Sequence, residues 1–177
     1  MKQSDIKDVC LVASCRTRDE ARLVQQMMIS CGLSNYHIRQ DLRPSIESVI
    51  ANAPDVALFV GDRDDAPMRE FFRRVRAHDF MGNRYVPIIV ALWHPSVAQI
   101  KQAINIGASE ILSFPANTEA LAKAIYRAVF VGRPFIDVPS YFGPDRRRKQ
   151  IQNFGSERRE TPWDYSHVSV RQPATVD

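Results

Sequence analysis

The hydrophobic positions of this chain alternate between short unbroken runs and stretches with a helical period. Unbroken runs of strand length occupy residues 9–13, 56–60 and 86–93. Such runs are typical of parallel strands that are covered on both faces. The mixed polar and apolar stretch 36–40 predicts a short strand near an edge of the sheet. A last short strand is predicted before Pro115, because proline cannot donate to a strand ladder.

Apolar residues at helical spacing mark five helices between these runs. The first follows Thr17 and Glu20, whose spacing is that of a capping box, and ends at Gly32. The others are predicted at 44–52, 68–78, 95–107 and 118–130. Five strands alternating with five helices predict an α/β fold, with a doubly wound parallel sheet in the order 2-1-3-4-5 and helices on both faces.

The sequence from Arg133 onward has no sustained period and contains five prolines. We predict an α/β domain over residues 1–132 and a largely irregular C-terminal extension over 133–177, mostly extended or loop. One six-residue pattern, aromatic-Gly-x-acid-Arg-Arg, occurs in this extension at 142–147 and again at 154–159. The repetition suggests a docking element, and it is too short to be a structural repeat.

Composition narrows the class of protein. The chain has 177 residues, 45% hydrophobic and 25% charged, which suits one soluble domain with a tail. The net charge of +4 is spread evenly, since residues 133–177 carry eight basic and six acidic side chains and the rest carry 16 and 14. A dedicated nucleic-acid binder would show a stronger basic excess.

The cysteines and the hydropathy indicate a location. Three cysteines without a C-x-x-C spacing suggest neither a disulfide framework nor a zinc site, which fits a reducing cytoplasm. No apolar run approaches the roughly 20 residues that cross a bilayer. We therefore expect a cytoplasmic protein with no membrane contact.

Residues 9–131 resemble the receiver domain of bacterial response regulators of the chemotaxis-regulator type. The resemblance rests on the order of strands and helices, on the Gly-Ala turn that begins at Gly107, and on Pro115 at the end of the last strand. It implies a flavodoxin-like fold and a role in two-component signalling. The functional crevice of such a fold lies at the C-terminal ends of the strands, where the strand order reverses.

The resemblance also implies which residue types to expect in that crevice. Receivers keep two acids after the first strand, a phosphoacceptor aspartate after the third, a Thr or Ser after the fourth and a lysine after the fifth. The corresponding positions here are Ala13 and Ser14, Val60, Leu92 and Phe114, and only the following Pro115 is retained. The pattern indicates a degenerate phosphorylation pocket.

The requirements of phosphoryl transfer and the packing of apolar side chains both favour a degenerate phosphorylation pocket. Phosphoryl transfer to a carboxylate needs a nucleophilic oxygen, a divalent cation and polar donors, and apolar side chains supply none of these. Ala13, Val60, Leu92 and Phe114 are expected to pack together instead, filling the pocket without metal or cofactor. We predict a pseudo-receiver without catalytic residues: a non-enzymatic, phosphorylation-independent adaptor that regulates or scaffolds a signalling partner.

Candidate partner-binding residues lie in two places. They are Trp93, Ile111, Tyr126, Tyr141, Phe142, Arg146, Arg147 and Arg148. The first three are near the face made by the fourth helix, fifth strand and fifth helix, through which receivers commonly pair, so a homodimer is one expectation. The others belong to the extension, where aromatic residues beside arginines can bind a protein groove or pack on the domain. Arg69, Arg73 and Arg76 share one helix face, which is expected to be solvated.

Two alternatives stay open. Asp62, Asp64 and Asp65 follow the third strand, and such an oxygen-rich loop can bind a metal or supply a displaced phosphoacceptor. The basic stretches could instead make the protein a nucleic-acid-linked regulator, although no helix-turn-helix follows the domain and nucleic acid is the less expected partner.

Overall fold

The structure is a computed structural model that describes residues 6–61, 66–138 and 141–146. Its main sheet has five parallel strands in the order 2-1-3-4-5, which confirms the predicted topology. The strands are β1 (Leu11–Cys15), β2 (Tyr36–Gln40), β3 (Val56–Gly61), β4 (Ile88–Trp93) and β5 (Glu110–Phe114). The helices are α1 (Arg18–Cys31), α2 (Leu42–Asn52), α3 (Ala66–Val75), α4 (Val97–Asn105) and α5 (Thr118–Tyr126).

The sheet separates two apolar layers, because successive side chains of a strand point to opposite faces. The α1/α5 layer contains the buried faces of helices α1 and α5 together with Ala13, Leu58 and Leu112. The α2–α4 layer contains the buried faces of helices α2, α3 and α4 together with Val12 and Val90. Every residue of β1 and β3 is buried, as expected of central parallel strands covered on both sides.

The first helix begins and ends where its capping residues predict. The hydroxyl of Thr17 accepts a hydrogen bond from the backbone N–H of Glu20 at 3.1 Å, and the Glu20 carboxylate accepts one from the N–H of Thr17 at 3.1 Å. The helix ends at Gly32, whose φ of 79° is in the left-handed region that glycine adopts at low cost.

Several element boundaries differ from the sequence predictions. Strand β1 begins two residues later than the apolar run, because the N–H of Val9 donates to the carbonyl of Ile6 in a turn at 3.1 Å. Helix α3 ends at Val75 rather than near His78. Helix α5 ends at Tyr126 and continues as a π turn, Arg127–Val131.

The extension begins with a β-hairpin. Strands β6 (Phe135–Val138) and β7 (Tyr141–Pro144) pair in antiparallel fashion, with Phe135 opposite Pro144. Extended structure was expected here, but the pairing was not. The division of the chain at residue 132 stays a prediction. Most of the extension, residues 147–177, lies outside the described residues.

Candidate functional site

The C-terminal ends of the parallel strands form the edge at which doubly wound folds place their chemistry. Strand β1 ends at Cys15, β3 at Gly61, β4 at Trp93 and β5 at Phe114. The sequence-predicted pocket residues all lie at this edge, and Ala13, Ser14, Val60, Leu92 and Phe114 are all buried. The peptide bond between Phe114 and Pro115 is cis.

The predicted pocket residues divide between the two layers. Ala13, Val60 and Phe114 belong to the α1/α5 layer, whereas Leu92 belongs to the α2–α4 layer. Leu92 lies beside Gly61, where a Cβ would be 2.9 Å from the Leu92 Cδ2. The expectation that all four pack together is therefore wrong for Leu92, because its side chain points to the other face of the sheet.

Trp93 takes the place in the α1/α5 layer that Leu92 was expected to fill. It is in register with Phe114, and the two ring centroids are 4.8 Å apart with the planes at 88°, an edge-to-face contact. Phe114 is 1% exposed, so this contact closes the end of β5 to solvent. Trp93 is half-buried in the crevice, and its predicted role in binding a partner stays a prediction.

Glu20 completes this cluster from the first turn of α1. Its Oε2 accepts hydrogen bonds from the backbone N–H groups of Arg16 at 2.8 Å and Thr17 at 3.1 Å. Its Oε1 accepts one from Nε1 of Trp93 at 3.2 Å. A buried carboxylate is costly unless donors satisfy it, and here three donors do so. The carboxylate serves to hold the crevice together.

The sequence predicts Glu20 only as half of a capping box. A signal for its second role was present, because the loop that follows the first strand of this topology lies at the crevice. An acid in the first turn of the next helix is therefore brought close to the end of β4. We name Glu20, Trp93 and Phe114 the crevice cluster.

Cys15 lies beside this cluster at the end of β1. Burial, and then the charge of Glu20, raises the pKa of the Cys15 thiol to about 12. Burial likewise raises the pKa of Cys31 to about 11, against the lowering effect of a backbone hydrogen bond. Both thiols stay protonated at neutral pH, and a thiol in that state is a poor nucleophile and metal ligand.

Across the parts of the chain that the structure describes, no group of three or more His, Cys, Asp or Glu residues is placed to hold a metal ion. The loop that contains Asp62, Asp64 and Asp65 lies outside those parts.

In the described residues, no helix is both long enough and apolar enough to cross a bilayer.

The two remaining candidates near β5 lie on opposite sides of this edge strand. Ile111 packs against the α2–α4 layer, and Tyr126 packs against the α1/α5 layer. The Tyr126 ring is 5.3 Å from that of Phe130. Both side chains are partly exposed, and their predicted role in pairing or partner binding stays a prediction.

The hairpin packs at the opposite end of the sheet, near the N-terminal ends of β4 and β5. Tyr85, Phe135 and Phe142 form an aromatic triad with ring centroids between 5.2 and 5.6 Å apart. The guanidinium of Arg84 lies 3.7 Å from the centroid of Phe142, in a cation–π contact. Tyr141 and Phe142, predicted to bind a partner, are here in contact with their own chain.

Arg146 ties the hairpin to the end of α4. Its guanidinium lies 3.7 Å from the Tyr141 ring, and its Nη2 donates to the carbonyl of Asn105 at 3.0 Å. The side chain is otherwise exposed. Arg147 and Arg148, the other two arginines predicted to bind a partner, lie outside the described residues.

The predicted solvated arginine stripe on α3 is wrong for Arg76. This residue follows the last turn of the helix and is 8% exposed, and its guanidinium is 5.0 Å from the centroid of Phe135. Its Nη1 donates to the carbonyl of Arg84, while Nε and Nη2 have no partner among the described residues. Burial lowers the pKa of Arg76 to about 9.

The outer face of α3 carries an ion-pair network. Arg73 and Arg74 each donate to Glu70 at 2.7 Å, which lowers the pKa of Glu70 to about 2. Arg69 and Arg73 are exposed, as the pattern predicted. One carboxylate therefore offsets part of the positive charge of this face.

Comparison with known proteins identifies the fold. The sequence matches no protein-family model and, at a significant level, no curated protein. The chain is similar in structure to the chemotaxis response regulator CheY4 of Vibrio cholerae, with a TM-score of 0.58 and 19% identity over 69% of this chain and 99% of that one. The five-stranded domain therefore has the fold of a response-regulator receiver.

Two further solved structures are similar. One is the receiver domain of a sensor histidine kinase from Pseudomonas aeruginosa with a magnesium ion in its active-site cleft, with a TM-score of 0.58 and 16% identity over 68% of this chain and 97% of that one. The other is a CpaE2 pilus assembly protein from Sinorhizobium meliloti, with a TM-score of 0.50 and 13% identity over 68% and 99%. At these identities the likeness concerns the fold alone.

Proposed function

We propose that this chain is a pseudo-receiver: a signalling domain of a bacterial two-component-type pathway that regulates a partner protein without being phosphorylated. The proposed function is binding, and no reaction is assigned to the domain. The fold supports the signalling role, since the similar solved structures include response regulators and receiver domains.

The crevice cluster is the observation that carries the proposal. Two aromatic rings in contact, Trp93 and Phe114, occupy the strand ends at which the resemblance places polar groups. The neighbouring carboxylate, Glu20, already accepts three hydrogen bonds. Binding of phosphate and magnesium there would require these contacts to break, and the pair of aromatic side chains supplies no ligand in exchange.

The charge distribution favours a protein partner over nucleic acid. Phosphate-backbone binding needs several unpaired cations on one face. On α3 the carboxylate of Glu70 engages both Arg73 and Arg74, and at the hairpin Arg84 and Arg146 stack on aromatic rings of their own chain. The arginines of the described residues are thus largely engaged within the domain.

Beryllofluoride with magnesium tests the proposal, because the complex mimics a phosphorylated aspartate. The full chain is titrated with both, and the melting temperature and the amide NMR shifts are followed. A ligand that binds the folded state raises its stability, whereas a pseudo-receiver shows neither a rise in melting temperature nor saturable shifts. The magnesium-binding receiver domain from Pseudomonas aeruginosa, treated in the same way, is the positive control.

An Asp62→Ala variant separates the two interpretations of the acidic loop. If the wild-type chain responds to beryllofluoride and this variant does not, Asp62 accepts phosphate and the pseudo-receiver function is wrong. Asp55→Asn would be a poor control, because Oδ2 of Asp55 accepts a structural hydrogen bond from the N–H of Cys10. The exposed Asp19→Asn is suitable, since Asp19 forms only a 4.0 Å surface ion pair with Arg22.

A further inference from the structure

We propose that Arg84, Tyr85, Asn105 and Gly107 form a peptide-binding site for the sequence Phe-Gly-x-acid-Arg, and that residues 154–158 are a second ligand for it. Residues 142–146 occupy the site in the structure. The second copy of the pattern would replace the first, and the hairpin would exchange between two registers. This inference is independent of the proposed function.

The phenylalanine of the first copy makes the largest side-chain contact. The Phe142 ring lies 5.2 Å from that of Tyr85, and the guanidinium of Arg84 covers it at 3.7 Å. Edge-to-face aromatic packing and a cation–π contact both need an aromatic side chain at this position. The second copy has Phe154 here.

The glycine is required by close approach of two backbones. A Cβ built on Gly143 would lie 2.7 Å from Oη of Tyr141 and 3.1 Å from Cα of Gly107. A larger residue would push the Tyr141 ring aside and press on the turn before β5, so glycine is the residue that fits without a shift of this backbone. The second copy has Gly155 at the equivalent position.

The end of the pattern is bound through polar groups. Arg146 donates to the carbonyl of Asn105, the last residue of α4, and the N–H of Asp145 donates to the carbonyl of Pro134 at 2.8 Å. The second copy supplies Glu157 and Arg158. It differs at Ser156, whose counterpart Pro144 accepts a hydrogen bond from the Tyr141 hydroxyl, and this bond has no donor in the second copy because Asn153 stands in place of Tyr141.

The repeated aromatic residue, glycine and first arginine are therefore those whose side chains, or lack of one, the site contacts, whereas the acid is bound through its backbone N–H. Tyr141 has no aromatic counterpart in the second copy, where Asn153 stands in its place. The stacking of Arg146 on the Tyr141 ring is therefore lost in the second register. A partner that binds Tyr141, Phe142 or Arg146 would compete with the site for the first copy, and the second copy would then fill it.

Loop length sets the balance between the two registers. Two residues join the strands in the observed hairpin, and 14 would join them if Asn153 took the place of Tyr141. The probability that a loop closes falls roughly as the 3/2 power of its length. Loop length alone therefore favours binding of the first copy by about 20-fold. The second copy is thus a minor ligand that becomes dominant when the first is weakened.

A double-mutant cycle on the full chain tests this exchange. Phe154→Ala alone should change the unfolding equilibrium constant less than about two-fold, because the minor register contributes little. Phe142→Ala should cost at least about 20-fold, the loop-length cost of moving to the second copy, to which the loss of the Tyr141 contacts adds. The double variant should lose more than about 100-fold and clearly more than Phe142→Ala alone, because the contacts of the partly buried Phe142 then have no replacement.

Additive effects of the two substitutions would overturn the proposal, as would a Phe142→Ala variant that fails to fold, since the second copy would then have failed to substitute. A double variant that unfolds while both single variants fold is the strongest form of the expected synergy. Gly155→Ala replaces Phe154→Ala as an independent block, because its Cβ would meet the same backbone. An effect that depends on protein concentration would place the second copy on a neighbouring molecule and contradict exchange within the chain.

A synthetic peptide covering residues 151–161 gives a direct measurement of binding. Added to the double variant Phe142→Ala/Gly155→Ala, in which neither copy fills the site, it should raise the melting temperature saturably. The same peptide with Phe154 replaced by alanine is the control. Equal effects of the two peptides, or no effect of either, would show that the site does not recognise the pattern.

Discussion

The indole nitrogen of Trp93 donates a hydrogen bond to Oε1 of Glu20, at 3.2 Å, and so joins the end of β4 to the first turn of α1. The same tryptophan packs edge-to-face on Phe114 at the end of β5. Three elements that are far apart in sequence therefore meet through one side chain. In this receiver-like fold, the side chains at the crevice therefore serve to hold α1, β4 and β5 together.

Glu20→Gln is expected to destabilise the domain by about 1–3 kcal/mol, the usual cost of a buried polar group left without a suitable partner. An amide has one acceptor oxygen, so its NH2 group would face either Trp93 Nε1 or the backbone N–H groups of Arg16 and Thr17. Urea denaturation measures the free energy of unfolding. Glu119→Gln, an exposed acid in the first turn of α5, is the control and should change it by less than about 0.5 kcal/mol.

Phe114→Lys tests whether the crevice can accept the lysine that receivers carry. The side chain would have to place an ammonium group where Phe114 is 1% exposed and packed on Trp93, so we expect a loss of about 3 kcal/mol or more. Ser113→Lys is the matched control, since Ser113 is exposed on the same strand. If both variants melt at the wild-type temperature, the crevice is not filled as described.

Cys15 should make the protein less stable as the pH rises above about 9, the thiol pKa of an unfolded chain. Its folded pKa is raised to about 12, so the unfolded chain releases this proton between those values while the folded chain keeps it. The stabilisation by the protonated Cys15 thiol is complete below pH 9. Between the unfolded and the folded pKa, the free energy of unfolding falls by about 1.4 kcal/mol per pH unit.

The measurement is the unfolding free energy of wild type and Cys15→Ala between about pH 8 and pH 11, where thiols titrate. The variant should lose less stability over this range. Cys10→Ala controls for the loss of a thiol from β1's N-terminal side, where Cys10 is only half-buried. Parallel curves for wild type and Cys15→Ala would contradict the assigned burial of this thiol.

Arg76→Met is expected to leave the free energy of unfolding unchanged or to raise it, by up to about 2 kcal/mol. A buried guanidinium with two nitrogens lacking acceptors is costly, and an apolar side chain of similar length can fill its place below Phe135. The loss of its hydrogen bond to the carbonyl of Arg84 limits the gain. Calorimetry at neutral pH measures the effect.

Arg73→Met is the comparison, because that side chain pairs with Glu70 on the solvent-exposed face of α3. It should be neutral or slightly destabilising, as is usual for an exposed ion pair. If Arg76→Met instead lowers the free energy of unfolding by more than Arg73→Met does, the buried guanidinium is paired with an acceptor outside the described residues.

Much of the fold could be predicted because local signals agreed with one another. The unbroken runs predicted buried parallel strands, and the capping pair Thr17 and Glu20 marked the start of α1 correctly. The candidate site was predicted less well. Leu92 was assigned to the pocket, but the contact with Phe114 is made by the next residue, Trp93, since one step along a strand reverses the face of the sheet.

The sequence by itself determined the order of strands and helices, the doubly wound topology and the apolar character of the strand ends, because periodicity and the handedness of crossovers leave few alternatives. Only the tertiary structure decided which face each strand-end residue occupies, that Glu20 reaches Trp93, and that Arg76 is buried beneath a hairpin. Those outcomes depend on pleat phase, strand register and contacts between distant segments, which no local pattern specifies.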